Sequence, residues 1–578
     1  MDFTAPTADQ ITAIRINAGI AELAAHERFA GASEDMVEAI VEGIGQFAAG
    51  EWAPLNRKGD QEGAKLANGT VSLPDGFAEA YRAFVEQGWN AISGPVEHGG
   101  QGLPFTLAAN VLENLGSANM AFSLLPMLTV GAIESLQHHG SPAQQELYLP
   151  KLVSGEWSGT MNLTEPQAGS DVGALRSTAT PITEGEHAGR YRIKGTKIFI
   201  TWGEHDLSGN IVHLVLARTP GAPAGTRGIS LFIVPKFHVN ADSSLGPRND
   251  LRCAGLEHKL GIMASPTCVM SFGDNDACIG ELIGHENEGL KAMFTMMNSA
   301  RVNVGNQGVQ IAERALQQAR GYARDRVQSA RAGSPDKTPV AIIEHPDVRR
   351  MLLRMRALTE GSRALLYYTA GLVDRGALGI EGAQERADCL VPLIKAWGTD
   401  IGCEVASLGV QIHGGMGFVE ETGAAQHYRD ARIAPIYEGT NGIQAADFVT
   451  RKLGYEGGAV VTSLLEEAAS DCADLPALAA LASECAAIAR WMASDASLDD
   501  RLAGSVAFTT MSAVAIAGWQ LQRQARTLTA EGSPLAPAKQ VVARYFAEHL
   551  ATEAMGLKAA ATAGAGLLYA LDAEVLAG

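Results

Sequence analysis

Over the first 160 residues, apolar positions recur at intervals of three and four. "DMVEAIVEGIGQFAAG" (35–50) and "GFAEAYRAFVEQGW" (76–89) each carry the single apolar face that a helix buries. Glycine-rich "EHGGQGLP" (97–104) interrupts them. No strand precedes it, so it reads as a turn and not as a phosphate loop. From 161 to 288 the period changes. "RYRIKGTKIFIT" (190–201), "IVHLVLAR" (211–218) and "GISLFIVPKF" (228–237) are short, rich in β-branched residues and separated by Gly, Pro, Asp and Asn, which predicts an antiparallel β domain. Helical periodicity returns in three long stretches, 295–326, 345–376 and 389–415, with a loop at 329–345. Beyond the linker "LGYEGGA" (453–459) the chain is Ala-rich and helical, with no chemical motif.

The predicted architecture is therefore mainly α with a central β domain. Its parts are an N-terminal helical domain (1–160), the β domain (161–288), a helical bundle (289–452) and a C-terminal helical extension (453–578). Composition narrows the partners. The net charge of −19 works against nucleic acid and anionic membranes, so an anionic ligand needs locally collected positive charge. Seven cysteines without CxxC spacing predict reduced thiols in a cytoplasmic protein and no zinc site. The first residues show no leader-like apolar region. The uncharged run Leu502–Gln522 has the length to cross a bilayer, but its Ser, Thr, Gln and Ala content favours a buried helix, so no membrane span is expected.

In "IAPIYEGTNGIQ" (433–444) one carboxylate, Glu438, sits on a turn straight after an apolar run. An exposed loop Glu is the ordinary reading, and a base at the edge of an apolar cavity is the other. Four further stretches stand out: "MNLTEPQAGSDVGA" (161–174), "KGTKIFITWG" (194–203), "ARDRVQ" (323–328) and "QIHGGMGF" (411–418). Each alone has an ordinary reading. A strand Phe is usually core, a basic helix end is usually solvated, and His413 is usually a packed or capping residue.

In this order, however, the stretches resemble the acyl-CoA dehydrogenase family of flavoproteins, from the N-terminal helices to about residue 452. "LTEPQAGSDVGA" and "QIHGGMGF…RDARIAPIYEGTNGIQ" are similar to that family's two signature regions. The length and "LPKLVSGEWSGTMNLTEPQAGSDVGAL" resemble the extended branch that includes 3-methylmercaptopropionyl-CoA dehydrogenase. The resemblance implies FAD as cofactor. Leu163 and Thr164 would meet the flavin ring, Phe199 and Thr201 would cover it, and Ser170 would lie where flavin and CoA meet. Arg326, Gln328 and Gln411 through Gly415 would contact the FAD of a neighbouring subunit, which implies a homodimer. Thr440 would touch the cofactor and cap the following helix. Asn298 and Arg301 would border the CoA channel, with Gly439 beside the substrate. Some relatives hold their base immediately before the Arg matching Arg301. Here that residue is Ala300, which leaves Glu438. Leu124, Leu125, Pro126 and Met127 are either chain-pocket lining or ordinary helix core.

The implied reaction is α,β-dehydrogenation of an acyl-CoA thioester to the trans-2-enoyl-CoA, with electrons passed to an electron-transfer flavoprotein. The acyl group stays open between 3-methylmercaptopropionyl and a medium or long fatty chain. The alternatives are an acyl-CoA oxidase using oxygen and a non-catalytic flavin-binding scaffold. A base for such a weak carbon acid must be ionised yet strong. The helix starting near Thr440 or Asn441 favours the anion slightly, while desolvation raises the carboxylate pKa by more. The C-terminal extension is expected to cover the face that shorter relatives use for a second dimer contact.

Overall fold

The N-terminal region of the computed structural model, which describes residues 3–578, is built on helices. Helix Glu34–Phe47 starts at Ser33, whose hydroxyl accepts the Met36 N–H at 3.4 Å. It buries Val37, Ile40, Val41, Ile44 and Phe47. Helices Phe105–Ala118 and Met120–His139 lie almost wholly inside. Asn119 separates them with extended backbone and caps the second through Oδ1, which accepts the Phe122 N–H at 3.2 Å. The stretch 97–104 is a turn in which Gly99 and Gly102 take positive φ. A hairpin interrupts the helices, β1 (Lys65–Ala67) and β2 (Thr70–Ser72). It is turned by Asn68 at φ 52° and Gly69 at φ 77°, the Asn-Gly signal of a tight hairpin.

The sheet contains β3 (Trp157–Asn162), β4 (Thr178–Pro181), β5 (Tyr191–Thr201), β6 (Asn210–Ala217) and β7 (Ser230–Pro235). After a small hairpin of β8 (Phe237–Val239) and β9 (Leu245–Arg248) come β10 (Leu251–Leu256), β11 (Thr267–Phe272) and β12 (Ile279–Ile283). The order is β10-β11-β5-β12-β7-β6-β3, with β4 against β5. The expected antiparallel pairing fails where β3 pairs with β6 in parallel. The chain lays down β4 and β5 between them, which provides the long crossover that a parallel pair needs. β3, β6 and β7 are buried along their whole length; β6 and β7 read as nearly continuous apolar runs, whereas β3 (WSGTMN) buries Ser158, Thr160 and Asn162 among its residues.

Three long helices follow, Gly289–Asp325, Pro346–Ala377 and Ala383–His413. The first and third run parallel at close quarters. A Cβ on Gly305 would fall 2.8 Å from Ile394, and one on Gly308 would fall 1.9 Å from the Gly398 carbonyl. Tyr322 stacks on His413 at 4.4 Å near their shared C-terminal end. Between helices, the buried Arg363 donates from Nε to Glu113 and from Nη2 to Glu313, both at 2.7 Å, and the Tyr367 hydroxyl donates to Glu113 at 2.6 Å.

The C-terminal extension covers a face of this bundle. Its helix Leu498–Ala530 sets Trp519 against Tyr368 and Phe508 on Phe448, while Phe546 meets Trp397. Lys539 fastens the extension by donating to Glu360 on the bundle and to Asp9 at 3.0 Å. Met120–His139 and Leu498–Ala530 are long and apolar enough to cross a membrane, but 89% and 72% of their apolar windows are buried inside the fold. The seven cysteines are all free.

Candidate active site

Glu438 follows helix Ala424–Ala431 on a turn closed by the Asn441 N–H, which donates to the Pro435 carbonyl at 3.0 Å. Glu438 (φ 56°) and Gly439 (φ 84°) are both left-handed. For a non-glycine residue this conformation costs of the order of 1–3 kcal/mol and persists only where its surroundings hold it. Here they do. Gln444 Nε2 donates to the Glu438 carbonyl at 3.2 Å, and Lys395 Nζ donates to the Gly439 carbonyl at 2.6 Å. Thr440 Oγ1 accepts the Ile443 N–H at 3.3 Å and so caps helix Asn441–Thr450. Asn441 Nδ2 ties the turn to helix Ala383–His413 through the Ala396 carbonyl, Thr399 and Asp400.

The two carbonyls of the turn are thus bound, and the other Glu438 groups are not. Among the described residues, neither its N–H nor its carboxylate has a hydrogen-bond or ion-pair partner. The side chain is half-buried. Burial raises its pKa, against the opposing pull of Arg301 and Lys395. Both cations are themselves buried. Arg301 Nε has no partner among the described residues. Lys395 is pushed down to about 7 by burial, against the charges of Glu438 and Asp400. One anion and two cations therefore share a desolvated space without forming an ion pair among themselves. Tyr437, beside Glu438, donates its hydroxyl to Gln307, whose Nε2 donates to Met127 Sδ at 3.5 Å. Leu124, Leu125 and Pro126 are also buried in that helix.

The sheet offers a second surface. Opposite Phe199, the β5–β11 register slips between Cys268 and Met270, and Phe199 itself sits at φ 59°. This bulge turns the ring outward, 58% exposed in a chain that buries most of its aromatics. Leu163 and Thr164 are half-buried beside it, because the Thr164 carbonyl accepts the Ile198 N–H at 2.9 Å. Thr201 is half-buried and Ser170 exposed. Behind this loop Glu165 accepts Lys197 Nζ at 2.7 Å, the Ser177 N–H and hydroxyl, and the Arg176 N–H. Its pKa is held down at about 2, because these donors together outweigh its burial. A protruding aromatic ring and an open loop held from behind fit the flavin that the resemblance implies.

Arg326, Gln328, Gln411 and Gly415 are gathered elsewhere. All are exposed at the C-terminal end shared by the two parallel helices, and Arg326 Nη2 donates to Gln328 at 3.1 Å. Arg326 lies about 25 residues beyond Arg301, or about 37 Å at the helical rise. These residues do not reach the Glu438 turn of their own chain. Phe418 stands 86% exposed beside them. His413 is packed, its Nδ1 bonded to the Gly409 carbonyl, which matches the ordinary reading. Asn298 lines a cavity of about 770 Å³ with Glu134, Ser299 and Val302, and neither Glu438 nor Ser170 is in its wall. Burial pushes Glu134 up to about 7.

Sequence reasoning did not single out Lys395, Gln307 or the Glu165–Lys197 pair. For Lys395 a signal was present, a lone lysine inside the apolar run "CLVPLIKAWG" (389–398). Glu165 and Lys197 are more than thirty residues apart, and only the sheet brings them together.

Comparison with known proteins finds four family models along the chain. Family models match as "Acyl-CoA dehydrogenase, N-terminal domain" over 34–156, "middle domain" over 160–275 and "C-terminal domain" over 287–453. "Acetyl-CoA dehydrogenase C-terminal like" matches 461–572. The chain is 49% identical over 576 residues to 3-methylmercaptopropionyl-CoA dehydrogenase of Ruegeria pomeroyi, covering 96% of this chain and 97% of that protein. ACDH-11 of Caenorhabditis elegans, solved with C11-CoA, shares the fold at TM-score 0.77 and 20% identity, covering 94% of this chain and 91% of that one. An acyl-CoA dehydrogenase of Bacillus anthracis complexed with FAD gives TM-score 0.74 at 22% identity, over 94% and 89%.

Proposed function

The chain belongs to the acyl-CoA dehydrogenase family, and from that premise we propose that Glu438 takes the α-proton of an acyl-CoA thioester as the β-hydride leaves, giving the trans-2-enoyl-CoA. The observation that carries this reading is the turn itself. A left-handed Glu is fixed through its neighbours' contacts, while its carboxylate and N–H stay open. An open N–H beside the base can donate to the thioester oxygen as negative charge develops there. Burial strengthens the base, and the Arg301 and Lys395 charges keep it ionised.

The cofactor of this reading is FAD, which when bound supplies the hydride acceptor. Leu163, Thr164, Ser170, Phe199, Thr201 and Thr440 would hold it, with Arg301 and Gly439 towards the thioester. Arg326, Gln328, Gln411 and Gly415 would serve a partner's cofactor, because they lie a bundle length from their own base. A homodimer follows, and light scattering that reports a monomer would remove it. The family resemblance supports electron-transfer flavoprotein as acceptor, and the free cysteines support a reducing, cytoplasmic setting.

The acyl group we infer is 3-methylmercaptopropionyl, supported by near-full-length identity to an enzyme of that name. The test is a panel of short, long, branched and thioether-bearing acyl-CoA thioesters, with an artificial electron acceptor. The thioether substrate is expected to give the highest kcat/KM. A preference for long linear chains would overturn the substrate, and hydrogen peroxide formed in step with turnover would assign oxygen as the acceptor.

A further inference from the structure

Lys395 is a lysine with no exposed surface and, among the described residues, no ion pair, inside the largely apolar run 389–398, with Thr399 one turn on as its polar neighbour. Its ammonium reaches two acceptors, the Gly439 carbonyl at 2.6 Å and Asn441 Oδ1 at 3.0 Å. Both belong to the turn that carries Glu438. A buried ammonium is costly unless paired, and replacing it by an apolar side chain of similar volume is commonly neutral or favourable for stability. A lysine kept here for folding alone is therefore poorly explained. Hydrogen bonding does not require a charge either, since Gln444 holds the adjoining carbonyl with a neutral amide.

We propose that Lys395 is a positioning residue for the base: its ammonium fixes the Glu438–Gly439 turn from beneath, and its charge keeps the Glu438 carboxylate ionised inside the desolvated site. This inference rests on the reading of Glu438 as the base. The groups that face this pair are few. From helix Gly289–Asp325 comes Arg301, the second cation acting on Glu438. From Lys395's own helix comes Asp400, bonded to Asn441. From helix Asn441–Thr450 come Asp447 and Arg451, which pair with each other at 2.5 Å and act on Arg301. From the turn comes Tyr437, bonded to Gln307. Arg301 cannot replace Lys395 in holding the turn, because it makes no hydrogen bond to either carbonyl.

The sign follows directly. Without the Lys395 charge, burial acts on Glu438 with one cation fewer to oppose it, so its pKa rises and the ionised fraction at neutral pH falls. Burial holds Lys395 itself down to about 7. Its charge is therefore partial near neutrality and complete below, where Glu438 most needs it.

The experiment compares Lys395→Met, which removes donor and charge, with Lys395→Gln, which keeps a donor without the charge. Each holoenzyme is mixed anaerobically with substrate across pH 6–9, and flavin bleaching is followed. FAD content, melting temperature and binding of the enoyl-CoA product are measured alongside. In both variants the acid limb of the bleaching rate should move up by about one pH unit. Lys395→Gln should recover more of the high-pH plateau than Lys395→Met, because it still holds the turn. Product binding and FAD content should stay near wild type. An unmoved acid limb in a folded, FAD-replete variant overturns the proposal. If Lys395→Met does not fold, the pH profile of Lys395→Gln decides alone. Glu438→Gln in the same series separates the two readings. If it bleaches at the wild-type rate, the base assignment itself falls; if it is inactive while the Lys395 variants keep the wild-type profile, only this inference falls.

Discussion

The chain buries charge in two places and treats it in opposite ways. Around Arg363, Glu113 and Glu313 each carry a bond to the guanidinium, and Tyr367 adds a further donor to Glu113, itself accepting from Asn110. Around Glu438, one carboxylate and two cations share a space with no ion pair between them. In the first cluster the charges are bonded to one another and their positions are fixed. In the second, Gln444 and Lys395 bind the Glu438 and Gly439 backbone carbonyls and leave the carboxylate open. Charges paired with one another have little left to offer a ligand, whereas a charge held open by its surroundings keeps its interaction for one. On the proposed reading of Glu438, the difference separates a cluster that holds helices together from one that acts on a substrate.

The largest effect that tests this contrast is at Glu438. Glu438→Gln keeps the shape of the side chain and the open N–H but cannot accept the α-proton. Flavin reduction by substrate should slow by about 10²–10⁴-fold. Ala300 offers no second carboxylate to take over. Melting temperature should hold or rise, because an unpaired buried charge has been removed. A variant that bleaches at the wild-type rate would place the base elsewhere. One that unfolds would put Glu438 among the structural charges.

The mirror experiment is Arg363→Met. It leaves Glu113 and Glu313 buried without their shared cation, which typically costs about 3–5 kcal/mol. Chemical denaturation should show that loss, while the fraction that stays folded and holds FAD should reduce its flavin at the wild-type rate. Comparable losses of rate in both variants would erase the distinction.

How much of this contrast was legible beforehand depends on distance along the chain. The helices were legible because Val37, Ile40, Val41, Ile44 and Phe47 repeat with the helical period. Glu438 stood out because a lone acid after "IAPIY" breaks an apolar run. The Asn68-Gly69 hairpin carried its own turn signal but was absorbed into a helical reading, since its strands are only three residues each. The parallel β3–β6 pair was not legible, because period-two and continuous apolar patterns say nothing of strand direction. Lys395 meets the base across more than forty residues, and Glu113 meets Arg363 across two hundred and fifty, so neither cluster has a local signature. Spacing alone also gave no sign that Asn298 would share a cavity wall with Glu134, which lies more than one hundred and sixty residues before it.

The smallest effect sharpens the comparison by pH, through two carboxylates shifted in opposite directions. Glu165 is held down at about 2 by Lys197, Ser177 and Arg176, against its own burial. Its unfolded form binds protons more readily, so its contribution to stability is present above about 4.5 and is lost as pH falls towards about 2. Glu438 is raised by burial. Its folded form binds the proton more readily, so stability falls as pH rises from the ordinary glutamate range through the raised value. Denaturation curves between pH 2 and 8 should therefore show Glu438→Gln gaining on wild type as pH rises, with the gap closing at the acid end. Glu165→Gln should show the reverse, losing most near neutrality and converging with wild type in acid. If Glu438→Gln instead lost stability relative to wild type at neutral pH, the carboxylate would be paired in the folded state, and the site would belong with Arg363 after all.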